Sequence, residues 1–114
     1  MSYAALREPT FWILTALARG RRHGYGMIED VRAQSSGNVE LRVATLYSAL
    51  DRLADEGLIE VDGDEIHEGR ARRYFRITGA GLERLRVEAD RLASSAAAAR
   101  ASLDAAGGQS VVFA

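Results

Sequence analysis

The most constraining feature of this chain is an apolar series near its C-terminal end: Leu82, Leu85, Ala89, Leu92, Ala96, Ala99 and Leu103, spaced 3, 4, 3, 4, 3, 4. A series this strict is a heptad seam, narrower than the apolar face of an ordinary core helix. Glu83, Arg84, Arg86, Glu88, Asp90 and Arg91 occupy the other sides. A helix over 79–105 would be ~40 Å long at 1.5 Å per residue. A chain of 114 residues forms one domain with a modest core, which cannot cover that length. The seam is therefore expected to be buried against a second copy, and Ala96 and Ala99 allow close approach. Gly107-Gly108 ends the helix, and 107–114 is expected to be a flexible tail.

A second patterned stretch runs from Leu41 to Ile59. Leu46, Leu50, Leu53 and Leu58 suit one buried helical face, while Tyr47, Ser48, Asp51, Arg52 and Asp55 fall elsewhere. Gly57 sits where a helix end favours positive φ. The spacing predicts a helix over 43–56 whose outer face carries hydroxyls, an aromatic ring and arginine. A leucine face needs no functional explanation; the outer face does.

The rest falls into place around these two. Pro9 suits a first helical turn. Phe11, Ile13, Leu14 and Leu17 predict a helix over 9–19 that Gly20 ends, with Trp12 off the main stripe. Arg21 to Gly26 reads as a turn, and Met27, Ile28 and Val31 predict a helix over 24–34. Ser35-Ser36-Gly37-Asn38 has loop composition. Leu58 to Asp62 reads as a strand continuing toward Ile66, His67 to Arg70 as a turn, and Arg72 to Ile77 as the returning strand. Thr78 is a candidate N-cap. The expected order is helix, helix, helix, two-stranded hairpin, long helix.

Composition narrows the function. Absence of cysteine excludes disulfide scaffolds and thiolate metal sites. There is no signal-peptide pattern and no apolar run of membrane-spanning length, so the expected setting is the cytoplasm. Net charge is −1, yet all 15 basic residues are arginine, clustered at Arg19, Arg21, Arg22 and at Arg70, Arg72, Arg73, Arg76. Such clusters can form a positive face on a protein with almost no net charge.

Three helices followed by a hairpin is the winged helix-turn-helix layout, in which the third helix enters the DNA major groove and the hairpin lies beside it. The fold class expected is mostly α with a small β-hairpin: a winged helix-turn-helix DNA-binding domain at 1–78 and a dimerisation helix at 79–106. Arg42, Thr45, Tyr47, Ser48 and Arg52, with Tyr25, supply groups for the third-helix surface, and Arg70, Arg72 and Arg73 supply charge on the wing. Arg70, Arg72 and Arg73 are expected to meet phosphates, and Ser48 and Arg52 base edges. A palindromic operator needs a two-fold dimer, whose interface is expected at the seam and Trp12.

Four ordered stretches carry a more specific resemblance. They are Pro9 to Gly20 followed by Arg22-His23-Gly24-Tyr25-Gly26-Met27-Ile28; Thr45-Leu46-Tyr47 with Leu50, Arg52-Leu53 and Gly57-Leu58-Ile59; Gly69 to Thr78; and Gly81. Over about 9–92 the chain resembles the PadR family of bacterial transcriptional regulators, in its short form with one C-terminal helix. The resemblance implies a homodimeric repressor on a palindromic double-stranded DNA operator, with Tyr47, Arg70, Arg72 and Arg73 touching DNA. It also implies that a small aromatic or cationic effector can bind at the dimer interface; Tyr3, Phe11 and Trp12 are the aromatics placed to line such a site. The family commonly has glycine before the threonine of the Thr-Leu-Tyr motif, where this chain has Ala44.

Other chemistries find less support. His23 and His67 are the only histidines and lack ligand spacing, so no metal site is expected; His23 is expected to pack in its turn and His67 to be solvated. No nucleophile–base pair or phosphate-binding glycine loop is visible, so no enzyme activity and no cofactor are expected. The alternatives are a winged-helix protein-interaction module without DNA binding, or a ligand sensor at the dimer interface.

Overall fold

In the computed structural model, which describes residues 4–108, the leucine face of 43–56 is the floor on which the other elements pack. The elements are α1 (Glu8–Ala18), β1 (Arg22–His23), α2 (Gly24–Gln34), α3 (Val43–Asp55), β2 (Ile59–His67), β3 (Arg70–Ile77) and α4 (Gly79–Gly107). Ile13, Leu14 and Leu17 of α1, Met27 and Val31 of α2, and Leu46, Leu50 and Leu53 of α3 form the core, closed by Ile59 and Phe75 of the sheet. Burying each such side chain contributes ~1.5–3 kcal/mol. Three helices around one shared apolar centre therefore hold α3 rigid. Ala44 lies inside the first turn of α3, exposed and helical.

The sheet differs from expectation. It has three strands in the order β1-β3-β2, because Arg22 and His23 pair with Phe75 and Tyr74 and do not form a simple turn. A two-residue strand is too short to show a period in sequence; only its partner reveals it. The β2–β3 hairpin turns through Glu68 and Gly69, both at positive φ, as a two-residue loop matching strand twist requires. Asp62 and Gly63 together face Tyr74 alone, a β-bulge in β2. Arg21 secures the bulge. Its guanidinium donates to the Asp62 carbonyl at 2.9 Å, pairs with the Asp62 and Glu65 carboxylates at 3.2 Å each, and lies 3.9 Å over the Tyr74 ring.

Thr78 joins the domain to α4. Its Oγ1 accepts from Gly81 N at 3.1 Å, capping the helix, and donates to Gly57 O at 2.7 Å. Gly57 has φ 76° and closes α3. At Gly81 the backbone approaches so closely that a Cβ would stand 2.1 Å from the Leu58 carbonyl oxygen.

The face that α4 turns to its own domain only partly coincides with the seam. Gly81 and Glu88 are its buried residues, and Leu85 is half-buried against the core. Glu88 carries a carboxylate into this contact and is held by two bonds from Arg91. Leu82, Leu92 and Leu103 are exposed, and so is every residue from Ala89 to Gly108. The helix thus runs past its domain, and the molecule measures 64 × 34 × 21 Å. Tyr3 and the tail from Gln109 onward lie outside the described residues.

Candidate nucleic-acid interface

The outer side of α3 follows from its period. Leu46, Ala49, Leu50 and Leu53 face inward, so Ala44, Ser48, Asp51 and Asp55 stand opposite them. Tyr47 lies toward one edge of this outer strip, and Thr45 and Arg52 toward the other. The N-terminal half of the strip is small and neutral, whereas the C-terminal half is acidic.

On the Tyr47 side, α3 meets the start of α2 and the wing. A cleft of about 440 Å³ is lined by His23, Tyr25, Tyr47, Arg70, Arg72 and Arg73, with no carboxylate on its walls. Tyr25 is 62% and Tyr47 50% exposed. A Cβ at Gly24 would stand 2.7 Å from Tyr47 Oη, so glycine there makes room for the phenol. Five of the nine residues singled out as DNA contacts thus share one concave surface although they come from three separate elements.

The wing arginines are not equivalent. Arg73 pairs with Asp64 at 3.1 Å, and Arg76, beyond the cleft, pairs with Glu60, whose carboxylate also raises the Arg76 pKa, first through the hydrogen bond. Arg72 Nη1 lies 3.5 Å from His23 Nε2. Among the described residues no carboxylate pairs with Arg70 or with Arg42. The Arg19, Arg21, Arg22 cluster does not form the free positive face its sequence suggested. Arg19 and Arg22 both reach Asp30, Arg22 also donates to the Ala16 carbonyl at 3.1 Å, and Arg21 holds the bulge.

His23 is the N-cap of α2, with Nδ1 accepting from Gly26 N at 3.2 Å. The proton of the neutral ring therefore sits on Nε2. Burial first, then the Arg72 and His67 charges, hold this imidazole below its ordinary value, while Glu29 and Glu65 act the other way. His67 is exposed on the wing beside Glu68.

On the other side of α3, Thr45, Ser48 and Arg52 line a separate concavity with Arg7 and Thr10. Arg52 Nη2 donates to Thr10 Oγ1 at 2.7 Å, tying α3 to α1. Arg52 therefore does not share the wing cleft. Arg7, which sequence reasoning passed over, sits at the N-cap of α1; its only signal was its place two residues before Pro9.

A third cavity, of about 650 Å³, lies between α1, the end of α2 and α4. Phe11, Trp12, Glu88, Arg91 and Leu92 are among its walls, and the Phe11 and Trp12 rings meet edge to face at 5.4 Å. Among the described residues no cluster of histidine and carboxylate groups is placed to hold a metal, and no helix is long and apolar enough to cross a membrane.

An α3 with a buried leucine face, an exposed polar face and an arginine-bearing wing beside it defines a winged helix-turn-helix protein. The sequence profile of the Transcriptional regulator PadR-like family matches residues 13–87, and the chain belongs to that family, one of regulators and not of enzymes. Solved structures agree in fold. A transcriptional regulator from Clostridium thermocellum is similar at 25% identity and TM-score 0.69, over 80% of this chain and 88% of that one. A PadR-like regulator from Bacillus cereus has 23% identity and TM-score 0.69, over 83% and 90%. Bacillus subtilis PadR, solved in complex with operator DNA, has 22% identity and TM-score 0.62, over 70% of this chain and 45% of that one. An uncharacterised curated protein of Lysinibacillus sphaericus is 29% identical over 69 residues, 60% of this chain and 63% of its own length. The chain thus spans less than two thirds of that relative.

Proposed function

We propose that this chain is a sequence-specific DNA-binding regulator that acts in the cytoplasm as a homodimeric repressor on a palindromic operator. The observation that carries the reading is the wing cleft. Tyr47 of α3, Tyr25 and His23 at the start of α2, and Arg70, Arg72 and Arg73 of β3 surround one concave surface free of carboxylates. Phosphates fit such a surface, and the outer face of α3 is then left for the base edges. The operator complex of Bacillus subtilis PadR, which shares the fold, supports the same use of it. The exposed leucines of α4 support the dimer, since among the described residues Leu82 and Leu92 are covered only in part and Leu103 stays 69% exposed. This reading divides the chain at Thr78 into a DNA-binding part and a dimerisation helix.

The deciding experiment is selection of bound duplexes from a random pool at low salt. Recovery of a palindrome with half-sites about one helical turn apart is expected. Failure to retain any duplex would instead favour a protein-interaction module.

The cavity beside Phe11 and Trp12 favours an added role as a sensor. Two aromatic rings with Glu88 and Arg91 close by suit a flat aromatic or cationic effector that releases the operator. Saturable quenching of Trp12 fluorescence by planar cationic dyes, weakened by Phe11→Ala, is the expected result. Trp12 is the only tryptophan, so the untreated signal is unambiguous.

A further inference from the structure

The geometry points to a second phosphate-binding site, on the side of α3 away from the wing, formed by Arg7 and Arg52 with the Thr45 and Ser48 hydroxyls. It rests on the DNA-binding reading above and extends it to a residue outside the wing and α3. Four observations carry it. The concavity of about 290 Å³ between the start of α1 and α3 has Arg7, Thr45, Ser48 and Arg52 on its walls and no carboxylate. Arg7 is exposed and has no ion-pair partner among the described residues. Arg52 is oriented by its bond to Thr10 Oγ1, with Glu56 at 3.9 Å the nearest competing carboxylate. Finally, this cleft and the wing cleft lie on opposite edges of the same exposed strip.

The last point decides the ligand. A helix in a major groove ~12 Å wide has a phosphate backbone on each side. The wing arginines meet only one of them. Arg7 and Arg52 stand where the other passes, and arginine's fork together with hydroxyl donors suits a phosphodiester. On this geometry Arg52 holds backbone and does not read a base.

The test uses the full chain, a 40-base-pair duplex of arbitrary sequence, and fluorescence anisotropy between 50 and 200 mM salt. Each lost phosphate contact should lower the slope of log K against log salt by about one. Arg7→Ala is expected to lower the slope by about two, one for each protomer of the bound dimer, and to weaken binding several-fold, with an unchanged melting temperature. Arg70→Ala on the wing side should do the same, and the double variant should lose about four. If Arg70→Ala lowers the slope and Arg7→Ala does not, the second site is overturned and the wing reading stands. If the unaltered chain binds no duplex at 50 mM salt, the DNA reading fails and the second site with it.

Discussion

Residues at this surface are constrained by atoms far from them in sequence. His23 caps α2 through an unprotonated Nδ1, and burial with the nearby Arg72 and His67 charges lowers its pKa. The unfolded chain takes up a proton near the ordinary value of 6.5, whereas the folded chain resists until a lower pH. The resulting stability is complete above 6.5 and is lost as pH falls through the folded value. His23→Asn retains a capping acceptor and removes the titration. Melting temperatures measured between pH 7.5 and 5 should therefore fall less steeply for this variant than for the parent. Glu88 behaves in the same direction at lower pH. Its bond from Arg91 outweighs burial and lowers its pKa, so its contribution is present above the unfolded value of 4.5 and disappears in stronger acid. Gly81 shows a steric constraint. Gly81→Ala should cost ~1–3 kcal/mol and lower the melting temperature, because the methyl meets the Leu58 carbonyl. Gly79→Ala, with nothing within 4 Å of its Cβ, is the matched control and should melt close to the parent.

At the scale of elements, the wing carries carboxylates that compete for its own arginines. Asp64 holds Arg73 and Glu60 holds Arg76, so its phosphate-binding capacity is smaller than its arginine content. Asp64→Asn should free Arg73, tighten duplex binding at low salt and steepen the salt slope by up to about one for each protomer of the dimer. Unchanged binding would remove Arg73 from the interface. The four helices were legible from apolar spacing, with ends within one or two residues of those observed. The hairpin was legible from its aromatic and β-branched returning strand. The third strand and the bulge were not, because β1 has two residues and the bulge is defined by the register of β2 against β3. For the same reason the Arg19, Arg21, Arg22 cluster looked like a free cationic patch. Its partners Asp30, Asp62 and Glu65 are brought to it only by the fold. Arg7 was missed because nothing local marks a residue whose neighbours, Thr45 and Ser48, are supplied by another helix.

For the whole molecule, α4 divides its apolar positions between two duties. Leu85 helps close the core of its own domain, whereas Leu92 and Leu103 lie exposed. Leu103→Asp should convert the proposed dimer to a folded monomer on a sizing column, with duplex affinity reduced and the melting curve still cooperative. Leu85→Asp should lower stability as well, because it also places a carboxylate against the core. A dimer that survives both Leu92→Asp and Leu103→Asp would refute the seam as the interface.

The cations bordering α3, from Arg7 and Arg42 to the wing, are all guanidinium groups, and the chain has no lysine anywhere. Lysine acetyltransferases and amine-reactive labels therefore find no side-chain target on this surface. Its positive charge can be masked by a competing carboxylate, as at Arg73, yet it cannot be removed by acylation. Glyoxal reagents, which attack guanidinium, are the chemical probes to which it should respond, with Arg70 modified ahead of the carboxylate-bound Arg73.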